Sequence, residues 1–67
     1  MPKEVILIES WRRYADNADE IRVKKHEKFV KLKARGKSYL VTIKLPEDEA
    51  NRLIEEYRGK GKRIVEY

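Results

Sequence analysis

The sequence predicts a two-layer α+β fold in which two helices cover one face of a small, mostly antiparallel sheet, in the order α-β-β-β-α-β. Two observations predict it. Apolar and polar residues alternate, with the period of half-buried strands, over residues 21–25, 28–35 and 38–45. Apolar residues recur at helical spacing over residues 3–15 and 46–58. Helices and a sheet with one apolar face each are expected to bury those faces against one another.

The first helix is predicted over residues 3–15. Its apolar residues recur at helical spacing, at Leu7, Trp11, Tyr14 and Ala18. Pro2 suits a first turn, and Glu4 would lie near the positive end of the helix dipole. Residues 5–8, Val-Ile-Leu-Ile, offer an alternative as a short buried strand. The polar residues 16–19 predict a loop that ends the element.

A hairpin is predicted around Gly36-Lys37, which has the composition of a two-residue turn. This turn would place Leu32 opposite Val41 and Val30 opposite Ile43, so that apolar residues pair on one face. The lysines would then lie together on the other face. A slip by one residue would bury them.

A second turn, at His26-Glu27, would join residues 21–25 to this hairpin. It would pair Val23 with Val30 and Ile21 with Leu32. Arg22 and Lys24 would then extend the basic face across a third strand, and the ring of Phe29 would lie among its lysines. Like charges that oppose one another on neighbouring strands are destabilising, so this arrangement favours an external polyanion.

Residues 46–58 predict the second helix. Pro46 would begin it, and three acidic residues would fill its first turn. Its apolar stripe consists of Ala50, Leu53, Ile54 and Tyr57. Gly59 is a candidate C-terminal cap, and residues 62–67 alternate as a short final strand. The aromatic residues Trp11, Tyr14, Tyr39 and Tyr57 are assigned to the core.

Positive charge is concentrated on the predicted strands. The net charge is +5, and residues 21–45 hold nine basic groups against Glu27 alone. Exposed lysines can simply solvate a strand and prevent edge aggregation. Acidic residues would do this equally well, yet they collect in the predicted helices. The asymmetry therefore predicts a partner with a phosphate backbone.

The composition also excludes several functions. With 67 residues the chain is expected to form one domain, residues 1–67, without room for a large enclosed substrate pocket. It has no cysteine and only His26, which is expected to be a solvated turn residue, so a zinc site has little support. No motif pairs a nucleophile with a base. No apolar run approaches the roughly 20 residues of a membrane span. We expect a cytoplasmic protein that is not an enzyme and has no cofactor.

Residues 30–43, Val-Lys-Leu-Lys-Ala-Arg-Gly-Lys-Ser-Tyr-Leu-Val-Thr-Ile, resemble the core of the eukaryotic and archaeal large-subunit ribosomal protein 38 family. That core runs from a lysine-rich strand through a Lys-x-Arg turn into a Tyr-Leu-x-Thr-Leu strand. The matching positions here are Lys33, Arg35, Tyr39, Leu40, Thr42 and Ile43. The resemblance covers about residues 18–67. The chain departs from the family at its N-terminal segment and at residues 59–62, where many members have a proline pair.

The resemblance implies an archaeal-like, non-catalytic constituent of the large ribosomal subunit. Its implied partners are ribosomal RNA and neighbouring ribosomal proteins, with no membrane and no small-molecule substrate. Together with the predicted basic face, it gives a set of candidate RNA-binding residues: Arg22, Lys24, Lys25, Lys28, Phe29, Lys31, Lys33, Arg35, Lys37, Lys44, Lys62 and Arg63.

Two other functions fit the same pattern. One is a small chromatin protein that coats duplex DNA through the basic sheet, with Leu40 and Phe29 as minor-groove wedges. The other is a protein-interaction module that uses the acidic helix face within residues 47–56.

Overall fold

A five-stranded mixed sheet, with strand order β1-β4-β3-β2-β5, carries both helices on one face. The structure is a computed structural model that describes the backbone of residues 2–67 and the side chains of residues 3–67. Its elements are β1 (Pro2–Val5), α1 (Ile8–Ala15), β2 (Glu20–Lys25), β3 (Val30–Arg35), β4 (Leu40–Leu45), α2 (Glu47–Gly59) and β5 (Arg63–Glu66).

The predicted α+β class, with both helices on the apolar face of the sheet, is confirmed. The predicted order and the mostly antiparallel sheet are corrected. The chain begins with a strand, which gives the order β-α-β-β-β-α-β. The central ladders β2-β3 and β3-β4 are antiparallel, whereas the edge strands β1 and β5 pair in parallel with β4 and β2.

The N-terminal segment is where the sequence prediction fails. The helix begins at Ile8 and not at residue 3, and the strand lies at residues 2–5 and not at the alternative 5–8. Val5 is in register with Ile43 and packs against the core, so this segment follows the period of a strand. Pro2 stands first in an edge strand, where a missing N–H is tolerated. The predicted loop at residues 16–19 is confirmed.

Both hairpin turns lie one residue later than predicted. The Gly36 N–H donates to the Tyr39 carbonyl at 3.0 Å, so Lys37 and Ser38 form the loop. The His26 N–H donates to the Phe29 carbonyl at 2.8 Å, so residues 27–28 form the other loop. Each register shifts by two residues, which leaves every side chain on its predicted face.

Gly36 serves a different purpose from the one that the sequence suggested. No described residue except Gly61 has a positive φ, so the hairpin does not use glycine for a left-handed turn. Instead the Tyr39 ring lies over Gly36, where a Cβ would come within 2.3 Å of two ring carbons. The Tyr39 hydroxyl donates to the Tyr14 carbonyl at 2.8 Å and ties the hairpin to α1.

The core lies between the sheet and the helices and is centred on Trp11 and Tyr57. Both side chains are buried, and their rings meet edge to face with centroids 5.7 Å apart. The Trp11 indole N–H donates to the Val41 carbonyl at 3.0 Å, and the Tyr57 hydroxyl donates to Asp16 Oδ1 at 2.8 Å. Each polar group of these buried rings therefore has a partner. Tyr14 and Tyr39 are half-buried beside this core, as predicted for that face.

An ion pair joins the two helices at the surface. The Arg12 guanidinium donates both of its terminal N–H groups to the Glu56 carboxylate, with the second contact at 2.8 Å. The hydrogen bonds from Arg12, together with the nearby Lys60, lower the pKa of Glu56 to about 2. Glu56 therefore stays charged across the physiological range.

The end of α2 corrects the predicted cap. Gly59 is the last helical residue, and the left-handed position is taken by Gly61 at φ +82°. The Gly61 N–H donates to the Arg58 carbonyl at 3.0 Å, and the Lys62 N–H donates to the Tyr57 carbonyl at 2.9 Å. This pair of bonds is a Schellman motif.

Candidate nucleic-acid interface

The side of the sheet that faces away from the helices, here called the open face, presents most of the predicted basic residues. Strand parity places seven cations on it: Arg22, Lys24, Lys31, Lys33, Arg35, Lys44 and Arg63. The acidic residues on the same face of the described strands are Glu4 and Glu20. Neither of the two helices in residues 2–67 covers this surface, because both pack against the opposite face. The predicted separation into an apolar and a basic face is confirmed.

Three lysines form a row across the central strands. Lys24 is in register with Lys31, and Lys31 is in register with Lys44. Lys33 lies one pleat away on the same face, opposite Arg22. We refer to Lys24, Lys31, Lys33 and Lys44 as the lysine cluster. Directly opposed like charges weaken strand pairing, so a bound polyanion would relieve a cost that the free protein bears.

Aromatic rings flank the lysine cluster on two sides. The Lys44 ammonium lies 5.4 Å from the Phe29 ring centroid, which agrees with the prediction that this ring lies among the lysines of the basic face. On the other side, the ammoniums of Lys24 and Lys33 lie 5.3 and 5.9 Å from the Tyr67 ring centroid. Attraction between these cations and the rings holds the long side chains over the sheet. The face thus combines positive charge with π surfaces, the combination found in many single-strand nucleic-acid sites.

His26 differs from the solvated turn residue that was predicted. It is half-buried and stacks on Phe29, with ring centroids 4.5 Å apart and planes 22° apart. Burial first, and then the positive charges of Lys31, Lys24, Lys44 and Lys33, lower the pKa of His26. The neutral imidazole is therefore favoured at physiological pH, which lets it stack on Phe29 without adding a further positive charge.

Glu20 organises the other end of the open face and was not identified from the sequence. Its carboxylate accepts a hydrogen bond from Arg22 Nε at 2.6 Å and lies 3.7 Å from an Arg35 nitrogen and 4.0 Å from Arg63 Nε. The side chain is only 13% exposed, and the hydrogen bond from Arg22 is the main cause of its lowered pKa. The three arginines are therefore partly neutralised, whereas the described strands place no carboxylate in the row of Lys24, Lys31 and Lys44.

The remaining predicted residues lie away from the open face. Lys28 and Lys37 occupy the two hairpin loops, at opposite ends of the sheet. Lys25 is exposed at the end of β2, on the helix side. Lys62 is also on the helix side, where its Nζ donates to the carbonyls of Asp16 and Ala18 at 3.2 and 2.8 Å. Its observed role is to fix the loop after α1.

Within residues 2–67, no group of three or more His, Cys, Asp or Glu side chains comes together to hold a metal ion. Neither of the described helices is long and apolar enough to cross a membrane.

Comparison with known proteins identifies the family. No protein-family model matches this chain. The large ribosomal subunit protein eL38 of the archaeon Aeropyrum pernix is 36% identical to it over 66 residues, which are 98% of each chain. The match therefore includes the N-terminal segment that the resemblance from sequence motifs did not cover. Because identity at this level extends over nearly the whole of both proteins, the chain belongs to the eL38 family of large ribosomal subunit proteins.

Proposed function

We propose that this protein is a non-catalytic structural constituent of the large ribosomal subunit in the cytoplasm and docks its open face onto folded ribosomal RNA. The relative from Aeropyrum pernix is named as a large ribosomal subunit protein, which supports the assignment to the particle. The observation that carries the RNA contact is the row of Lys24, Lys31 and Lys44 on an uncovered sheet face.

Phosphate neutralisation supplies most of the proposed binding energy. Each phosphate that a lysine neutralises releases condensed counterions, so affinity falls as salt rises. The lysine cluster is the expected centre, since the arginines around Glu20 already have a carboxylate partner. Lys28 and Lys37, in the exposed loops, would extend the contact beyond the sheet at either end.

Recognition would depend mainly on the shape of the RNA. Helical RNA has a deep, narrow major groove that side chains read poorly, whereas unpaired bases can stack on exposed rings. Phe29 and Tyr67 border the lysine cluster and would be available to such bases or to sugars. The rings would therefore favour a site where a folded RNA presents an unstacked nucleotide next to a run of phosphates.

The test is incorporation into large subunits in cells. The triple variant Lys24→Gln, Lys31→Gln and Lys44→Gln removes the row of lysines without reversing charge. A matched variant, Arg13→Gln, Arg52→Gln and Arg58→Gln, removes three exposed cations from the helix side. In sucrose-gradient sedimentation, we expect the matched variant to migrate with large subunits and the lysine-row variant to remain largely at the top. Equal co-migration of the two variants would contradict the proposed face.

The structure weakens the chromatin alternative. The two residues proposed as minor-groove wedges lie at opposite ends of the open face, since Leu40 pairs with Arg35 and Phe29 lies beside Lys44. A single bend in duplex DNA would not receive both. Preference for duplex DNA over ribosomal RNA in competition binding would nevertheless favour that alternative.

A further inference from the structure

The connection between β1 and α1 exposes two large aliphatic side chains. Ile6 is 89% and Leu7 is 67% exposed, and they are adjacent. Together with the half-buried Ile8 and the buried Leu45, they line a groove of about 430 Å³ between this connection and the start of α2. The groove lies on the helix-covered side of the sheet, whereas the lysine cluster is on the open face.

Folding does not explain these two residues. Leu7 is the N-cap of α1, at φ −86° and ψ 131°, and its side chain makes no capping hydrogen bond. Serine, threonine, aspartate and asparagine are strongly preferred at this position, and leucine is among the poorest choices. A chain under selection for stability alone would have a polar residue at position 7. Local rules of this kind are broken most often where a residue has another function.

The charge around the groove identifies the type of partner. Glu9 and Glu49 are the charged residues of the lining, and Glu47 and Asp48 occupy the same first turn of α2. The carboxylates of Glu9 and Glu49 at this apolar groove, with two more acidic residues in the same turn of α2, repel phosphates and so disfavour RNA as the occupant. A two-fold pairing of two copies of this chain would place acidic rim against acidic rim and is disfavoured for the same reason.

We propose that this groove docks a basic segment of another protein, with lysines or arginines against the acidic rim and an aliphatic side chain between Ile6 and Leu7. The acidic rim requires a positively charged partner, and therefore a segment rich in lysine or arginine. The exposed aliphatic pair requires an apolar residue within that segment. It concerns a surface separate from the open face, so it does not depend on the RNA contact.

The first experiment measures binding of labelled synthetic peptides to the full chain by fluorescence anisotropy. The probe is a short peptide of lysine, leucine and serine. One comparison peptide has serine in place of leucine, and another has the neutral glutamine in place of lysine. Because the chain carries a net charge of +5, general attraction of a cationic peptide is weak. We expect the lysine-leucine peptide to bind and both comparison peptides to bind at least about tenfold more weakly.

Two variants locate the site. Ile6→Ser with Leu7→Ser removes the aliphatic pair, and the serine at position 7 supplies an N-cap, so loss of folding is not expected. Glu9→Gln with Glu49→Gln removes charge from the rim. We expect each to weaken binding by about tenfold or more. The matched control is Glu27→Gln with Glu66→Gln, which removes two exposed carboxylates elsewhere. This control should bind the peptide as the unmodified chain does.

Three results would overturn the proposal. The first is equal binding of the leucine and serine peptides. The second is concentration-dependent self-association in analytical ultracentrifugation that Ile6→Ser with Leu7→Ser abolishes, which would make a second copy the occupant. The third is loss of affinity for deproteinised ribosomal RNA in the same variant, which would assign the groove to RNA. Retained RNA affinity with lost peptide binding would support this groove and leave the proposed RNA face untouched.

Discussion

Gly36 shows how a single position can be required for a reason that its sequence context does not reveal. The dipeptide Gly36-Lys37 is typical of a hairpin turn, but the loop is Lys37-Ser38 and no residue in it has a positive φ. The glycine is required because the Tyr39 ring occupies the space of its missing side chain. The ring is held in place by the hydrogen bond from its hydroxyl to the Tyr14 carbonyl.

Gly36→Ala is therefore expected to destabilise the protein. A Cβ would lie 2.3 Å from the Tyr39 ring, so the ring must move and its bond to Tyr14 must lengthen. Overpacking of this kind costs about 1–3 kcal/mol. Urea unfolding of Gly36→Ala, Tyr39→Ala and the double variant measures the coupling. Once the ring is absent, the alanine should cost little, and an undiminished cost in the Tyr39→Ala background would contradict this explanation.

Glu20 shows what residue patterns alone leave open. It begins β2 and has the same parity as Arg22, so its side chain lies on the open face. The acidic residues were predicted to collect in the helices, and the alternation that predicts β2 begins at Ile21 and does not include Glu20. Its contacts with Arg35 and Arg63 join β2 to β3 and β5, so they could not be predicted without knowing how these strands pair. The same holds for Tyr67, which reaches the lysine cluster only through the parallel pairing of β5 with β2.

At the scale of elements, the segments with several periods were predicted well and the short ones were not. The buried residues of α2 are the four that its spacing predicted, because they span two turns of helix. β1 has only four residues and lies at the edge of the sheet, and Val5 is the residue in it that packs against the core. This short pattern was outweighed by the helical pattern that extends from Leu7. Strand faces were predicted because parity survives a shift of two residues. Turn positions were not, because the predicted and observed registers have the same parity and the alternation alone does not distinguish them.

The C-terminal end of α2 offers a matched pair of glycines for testing its cap. A Cβ at either Gly59 or Gly61 would meet nothing within 4 Å, so packing is the same and only the backbone differs. Gly59 is helical, and Gly59→Ala is expected to stabilise the protein by about 0.5–1 kcal/mol. Gly61 has a left-handed φ, and Gly61→Ala is expected to cost about 1–2 kcal/mol. Urea unfolding followed by circular dichroism measures both. Changes of the same sign would contradict the assignment of Gly61 as the cap.

At the scale of the whole molecule, the two layers differ in charge. The helix layer buries the apolar face of the sheet and has acidic first turns, whereas the sheet layer presents the lysine cluster. This division was predictable from the charge asymmetry between residues 21–45 and the rest of the chain. It gives the molecule a cationic sheet face and acidic helix N-termini, and these are the surfaces on which the proposed RNA contact and the proposed basic segment would lie.

The salt dependence of RNA binding tests whether the position of charge matters or only its amount. Lys24→Gln, Lys31→Gln and Lys44→Gln on the open face, and Arg13→Gln, Arg52→Gln and Arg58→Gln on the helix side, remove equal charge. Affinity for deproteinised large-subunit RNA should be measured by filter binding over a range of salt concentrations. Each lost phosphate contact reduces the slope of log affinity against log salt by about 0.7–0.9, so the open-face variant should lose about 2–3. The helix-side variant should keep the slope of the unmodified chain. Equal losses in the two variants would show that net charge alone governs binding, and the open face would no longer be distinguished from the rest of the surface.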